Sequence, residues 1–149
     1  MQSLRKKTEG FTIIEVMIVL VIAAVIILIV FLAVPALQRN SRNNQRKNDV
    51  ARVSAAVTEL ANNANGVLPS ASATVQTAAG TLGYYTTLGY DGDGTAGPVA
   101  DAETVTYVRL ANCGGAAAPG TTTPTTGRKF AIIYAVETST GQSPQCLQG

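Results

Sequence analysis

The chain has 149 residues, 46% of them hydrophobic and 13% charged, with a formal net charge of +2. It holds no His and no Trp, which excludes Ser-His-Asp and Cys-His catalysis, His-ligated zinc and Trp stacking platforms. So small a net charge argues for no specific nucleic-acid ligand, and the mean hydropathy of +0.21 is the feature to explain.

Arg5, Lys6 and Lys7 form a short basic leader, followed by Gly10 and Phe11-Thr12-Ile13-Ile14. Glu15 then places an acid inside otherwise apolar sequence, and from Val16 to Val34 no side chain is polar. At roughly 1.5 Å per helical residue, that run crosses the ~30 Å hydrocarbon core of a bilayer. The remaining chain is too small to wrap such a rod as the core helix of a soluble domain. A carboxylate in the membrane requires a partner. If the chain were cut after Gly10, Phe11 would gain an ammonium group that Glu15 could bind on a neighbouring helix, fixing axial register. Interfacial snorkelling of Glu15 with no specific partner is the alternative reading.

Residues 38–49, QRNSRNNQRKND, contain no apolar side chain. From Val50 a stripe of Val50, Val53, Val57, Leu60 and Ala64 follows helical spacing, and it ends at Asn62-Asn63-Ala64-Asn65-Gly66, a composition suited to a left-handed C-cap. One helix from about Thr12 to Asn63 is expected, with Pro35 as its candidate bend. The basic cluster Arg39, Arg42, Arg46 and Lys47 reads as a contact for anionic headgroups or a neighbouring molecule ahead of DNA, with acidic groups of that neighbour or a solvent-filled gap as the ways to accommodate its charge.

Beyond Gly66 the strand candidates are Leu82–Tyr90, Thr104–Leu110 and Lys129–Val136. A small antiparallel sheet packed on the striped half of the helix makes an α+β head. Asp91-Gly92-Asp93-Gly94 and Thr121–Gly127 read as turns or loops. Asp91-x-Asp93-x-Thr95 also looks like the opening of a calcium loop, although its twelfth position is Ala102. Asp101 and Glu103 flank that position and could complete an irregular site; a plain Gly-Asp turn is the alternative. Thr121–Thr126, with Pro119 and Pro124, reads either as an O-glycosylated loop or as a polar turn.

The basic residues on the two sides of the apolar run leave membrane orientation close to a tie. Cys113 and Cys146 help to break it, because a disulfide suits so thin a core and requires an oxidising compartment. Two unrelated free thiols are the alternative. The disulfide places the head outside the cytoplasm and the amino terminus inside. Val34-Pro35-Ala36 could serve as a signal-peptide cleavage site, but the apolar run is longer than a usual signal segment.

At Lys6 through Val16 the sequence resembles the type IV pilins and the related pseudopilins: a basic leader, Gly10, then Phe11-Thr12-Ile13-Ile14-Glu15 opening an apolar helix. The resemblance covers residues 1–64 well and the remainder in general plan. It implies a leader at residues 1–10, removed by a prepilin peptidase between Gly10 and Phe11, with N-methylation of Phe11. It further implies a membrane and filament-core helix at 11–37, a basic connector at 38–49 and a small head at 50–149. Glu15 would set assembly register. An assembly ATPase and platform protein would drive assembly of a homo-oligomeric helical filament.

Three functions compete on these grounds. The first is a structural subunit of a type IV pilus, the major pilin, serving adhesion, twitching motility or DNA uptake. It is held in the cytoplasmic membrane before assembly and in an extracellular filament afterwards. The second is a pseudopilin of a type II secretion system, which a calcium site in the head would favour. The third, of another class, is a single-span membrane-anchored extracellular binding protein. No enzyme activity and no cofactor other than calcium is expected, since the chain has no nucleophile–base constellation.

Overall fold

The computed structural model describes residues 10–94, 103–114 and 120–149. The leader residues Arg5, Lys6 and Lys7 lie outside them, as do Thr95, Asp101 and Pro119. The chain divides into two units, one ending at Gln38 and the other running Arg39–Gly149.

Helix α1 spans Ile13–Asn63 and contains Pro35. In the first unit its apolar side chains are uncovered, from Phe11 at 89% exposure to Leu32 at 73%. The helix meets the length and hydropathy of a membrane span, and none of that apolar window is buried. Its end follows the sequence expectation: Asn65 and Gly66 both take positive φ, and the Gly66 N–H donates to the Ala61 carbonyl at 2.6 Å. Left-handed residues there satisfy carbonyls of the last turn.

In the second unit, α1 buries Val50, Val53, Ala56, Val57 and Ala61. Ala64, expected on this stripe, is exposed because the helix has already ended. The short helix α2, Ser72–Ala79, adds Val75 and Ala79 to the same core. Its sequence, SATVQTAA, shows only one apolar pair at helical spacing and has no side-chain N-cap, so little in the sequence announces it.

The main sheet has strand order β1-β2-β5-β6, from β1 (Thr87–Asp93), β2 (Thr104–Arg109), β5 (Phe130–Glu137) and β6 (Gln142–Gln148). A second, two-stranded sheet pairs β3 (Ala111–Cys113) with β4 (Thr122–Pro124). The main sheet is mixed and not wholly antiparallel as expected, because β1 and β2 pair in parallel. A two-residue hairpin cannot join parallel neighbours. Asp91–Asp93, read as part of a turn, instead continue β1 past an irregularity between Tyr90 and Asp93.

The imperfect alternation in β2 and β5 has a physical reason: both faces of these strands are covered. One face presents Val105, Tyr107, Phe130 and Ile132 to the core containing α1. The other presents Val108, Ala131, Ile133 and Ala135, which cluster with Ala111 and with Cys113 and Cys146. Strand β6, QSPQCLQ, is not among the strand candidates that the sequence offers. It lies at the sheet edge, where Pro144 is tolerated because one side of the strand needs no ladder donor.

The disulfide Cys113–Cys146, with its Cα atoms 5.7 Å apart, fastens β3 to β6. Gln148 reinforces that attachment: its Oε1 accepts the Cys113 N–H at 2.8 Å, and its Nε2 donates to the Ala111 and Phe130 carbonyls. Thr122, from the cluster read as a loop, is buried in β4, whereas Thr123 is exposed.

The polar stretch of α1 that belongs to the second unit packs against the head of its own chain. Arg42 donates to both oxygens of Glu137, from Nε at 3.0 Å and from Nη2 at 2.6 Å. Arg46 is fully buried and donates to Glu137 Oε1 at 2.9 Å, to Tyr84 Oη and to the Ala135 carbonyl. Its guanidinium carbon also lies 4.2 Å from the Tyr84 ring centroid, and its Nε has no partner among the described residues. Asn43 pairs with the Glu137 backbone in both directions at 2.8 Å. Asp49, buried, accepts the N–H groups of Gly83, Tyr84 and Tyr85. Glu137 of the same chain thus partners both Arg42 and Arg46, although its single charge offsets only one of them.

Glu137→Ala should destabilise the head by about 3 kcal/mol, because it leaves the buried Arg46 charge uncompensated. Arg42→Ala should cost much less, since that side chain is 43% exposed and its charge is screened by solvent. Thermal unfolding of the full chain in detergent separates the two. Hydrogen bonding from Arg42 holds the Glu137 carboxyl below the usual glutamate range. Its stabilisation is therefore complete above the unfolded value of about 4.3 and is lost as pH falls through the lowered folded value.

The bridge encloses a sequence separation of 33. A Cys113→Ala/Cys146→Ala variant should accordingly lose about 4 kcal/mol in denaturant unfolding.

Candidate functional site

The junction at the start of α1 is built from a helix N-terminus whose first N–H groups lack partners within the helix. Thr12 precedes the first helical residue, Ile13, and Glu15 lies three positions further on. The Thr12 N–H donates to Glu15 Oε2 at 2.8 Å and the Thr12 hydroxyl donates to the same oxygen at 2.7 Å. The Glu15 N–H points back to Thr12 Oγ1 at 3.4 Å. This Thr-x-x-Glu arrangement is a capping box. It gives Glu15 a partner within its own chain, in addition to any it finds on a neighbour. The sequence carried that signal in the Thr12–Glu15 spacing, although the apolar context drew attention to the carboxylate alone.

Both bonds to Thr12 fall on Oε2, and Oε1 accepts none among the described residues. Gly10 and Phe11 precede the helix and are exposed, and a Cβ added at Gly10 would meet nothing within 4 Å. The Gly10–Phe11 peptide bond thus lies in uncovered, non-helical chain. A hydrophobic recess of about 490 Å³ beside Glu15 is lined by Phe11, Val16, Ile18, Val19 and Leu20. An acid at the edge of an apolar surface suits a cationic group presented by another apolar helix.

The acidic candidates in the head behave differently. Asp93 is committed to Arg109, with Oδ1 and Oδ2 accepting from Nε and Nη2 at 2.5 and 2.6 Å. The hydrogen bond from Arg109 lowers the Asp93 pKa, and Tyr90 Oη adds a further donor to Oδ1. The Glu103 carbonyl accepts the Thr86 and Thr87 N–H groups as β1 begins beside β2. Asp101 and the Asp91 side chain lie outside the described residues. Among those that are described, no group of three potential ligands gathers at a metal-binding spacing. A calcium ion on Asp93 would have to displace Arg109.

Two parts of the chemistry were harder to read from the sequence. Glu137 and Tyr84 carry no motif, and only folding brings them to Arg46. Arg39, Arg42, Arg46 and Asp49 did offer a signal, since they repeat at three and four residues in phase with Val50, Val53 and Val57.

Residues 5–31 match the family model of the prokaryotic N-terminal methylation motif. No curated protein and no solved structure matches the chain.

Proposed function

Because the chain carries the N-terminal methylation motif characteristic of type IV prepilins and pseudopilins, we propose that it is a structural filament subunit, the major subunit of a type IV pilus. That motif implies processing by a prepilin peptidase and handling by pilus assembly machinery. Its long apolar helix fits membrane anchoring before assembly. The observation that carries the proposal is the conjunction at one helix end: an exposed Gly10–Phe11 bond, a capping Glu15 with one oxygen to spare, and an apolar run with no cover.

Hydrolysis of the Gly10–Phe11 bond frees an ammonium group on Phe11, and N-methylation leaves that nitrogen basic and positively charged. Oε1 of Glu15 accepts it from a neighbouring subunit, while Oε2 continues to cap its own helix. In an apolar setting this pair is satisfied at one axial offset, and every other offset strands a charge. The apolar surface leaves lipid for neighbouring helices and meets no water on the way, so extraction avoids the hydrophobic penalty. In this reading the subunit contributes contacts and catalyses nothing.

Mass analysis of the cell-surface protein should find an amino terminus at methylated Phe11. An intact Met1 or a start at Leu37 would refute the proposal. Electron microscopy of sheared material should show long filaments; short, cell-bound assemblies would instead favour a secretion pseudopilin. Glu15→Ala should leave cleavage intact and sharply reduce filament yield, which immunoblotting of sheared fractions measures.

A further inference from the structure

We propose that Arg39 and Arg42 form a binding site for the phosphate of an anionic phospholipid in the leaflet where the span emerges, used while the subunit is still in the membrane. The inference rests on the reading of the apolar run as a membrane span. Four observations carry it.

The first is placement along the chain. The apolar sequence ends at Leu37, and Arg39 and Arg42 follow within five residues. The headgroup layer is roughly 5–7 Å thick on each side of the hydrocarbon core, about four or five residues of helix. Counted from Leu37, Arg39 lies about 3 Å along the helix and falls within it, and Arg42 lies about 7.5 Å along, at its outer edge, from which its long side chain reaches back.

The second is a charge imbalance. Arg39, Arg42, Arg46 and Lys47 follow one another along α1, and Glu137 and Asp49 are the acids packed on the same face. One carboxylate, Glu137, serves both Arg42 and Arg46. Arg39 donates to a neutral acceptor, the Thr138 carbonyl, at 3.3 Å, and among the described residues it has no carboxylate within ion-pair distance.

The third is that the site has donors to offer. Arg42 uses Nε and Nη2 on Glu137, so its Nη1 remains for a ligand, as does most of the Arg39 guanidinium. Two planar guanidinium groups suit phosphate oxygens, which accept paired N–H bonds. Arg46 is fully buried and keeps Glu137 in place, so Arg42 can turn to a phosphate without stranding the carboxylate.

The fourth is that basic residues just beyond a span on the exported side run against the usual charge distribution of membrane proteins. Arg39 has no acid of its own among the described residues and Arg42 shares Glu137 with Arg46, so the two leave positive charge for an anion to meet. The headgroup supplies it before assembly. A subunit leaving the bilayer must give the lipid up, so the same contact holds the unassembled subunit at a fixed depth.

Native mass spectrometry of the full chain in detergent tests this, using phosphatidylglycerol and phosphatidylcholine of identical acyl chains at equal concentration. The wild type should retain phosphatidylglycerol preferentially, and Arg39→Gln/Arg42→Gln should reduce that preference several-fold, on the order of five-fold per arginine. The leader's Arg5, Lys6 and Lys7 are common to both proteins, so the difference reads the two arginines alone. Thermal unfolding should show the variant head intact, since Arg46 still holds Glu137. Arg39→Lys/Arg42→Lys keeps the charge but loses the paired N–H bonds and should recover part of the preference, which guards against a folding artefact.

Equal retention of the two lipids by the wild type, or an unchanged preference in the Gln variant, overturns the inference. Unchanged lipid preference with reduced filament yield would assign the arginines to a neighbouring subunit instead, and also overturns it. Flotation with phosphatidylcholine vesicles separates the two levels. A chain that fails to float removes the membrane-span reading itself, whereas one that floats but shows no anionic preference removes this site alone.

Discussion

The contact on which the head depends is the one between the buried Arg46 guanidinium and Glu137 at the end of β5. Stripping water from a guanidinium is costly, and the cost is offset only when its donors find acceptors of good geometry. Here a carboxylate, a phenol and a backbone carbonyl supply three, and the face of Tyr84 supplies a fourth favourable contact. These partners come from the 81–86 segment and from β5. Forming the contact therefore fixes how α1 meets both. Asp49, one turn further on, repeats the device with the charges exchanged, its carboxylate collecting three backbone N–H groups from Gly83 to Tyr85.

The polar stretch of α1 is thus an amphipathic helix whose inner face is charged. Hydrophobic burial continues the same stripe from Val50 to Ala61. Polar specificity and apolar burial follow each other along one helix face. Apolar contacts alone would tolerate sliding along the helix, because Val and Ala offer little directional preference. The paired Asn43–Glu137 hydrogen bonds and the shared carboxylate do not. In the head, the disulfide and Gln148 perform a similar task on the far face of the sheet, attaching the two-stranded β3–β4 piece where apolar area is small.

Legibility in the sequence followed the range of the interaction. The helix boundary at Asn63, the apolar run and the Phe11–Glu15 junction all rest on residues within a few positions of one another. Strands β2 and β5 were recognisable from their β-branched and aromatic content. Helix α2 and strand β6 were not. SATVQTAA offers only Val75 and Ala79 as a buried pair, and QSPQCLQ becomes a strand because β5 presents an open edge to it. Of the residues in the calcium expectation (Asp91, Asp93, Asp101 and Glu103), Asp93 pairs with Arg109, a partner that the local Asp-x-Asp pattern does not announce. The parallel pairing of β1 with β2 reverses an expectation drawn from short connections, and no local residue pattern encodes it.

By itself the sequence determined the membrane-length apolar helix and the place where that helix stops, because contiguous apolarity and left-handed residues act over one or two turns. Tertiary structure decided what the polar segment after the apolar run packs on, which carboxylate pairs with Arg42 and Arg46, and which way the strands run. The physical reason is distance along the chain. Arg46 and Glu137 are 91 residues apart, and a charge's partner at that separation is chosen by which groups folding removes from water together.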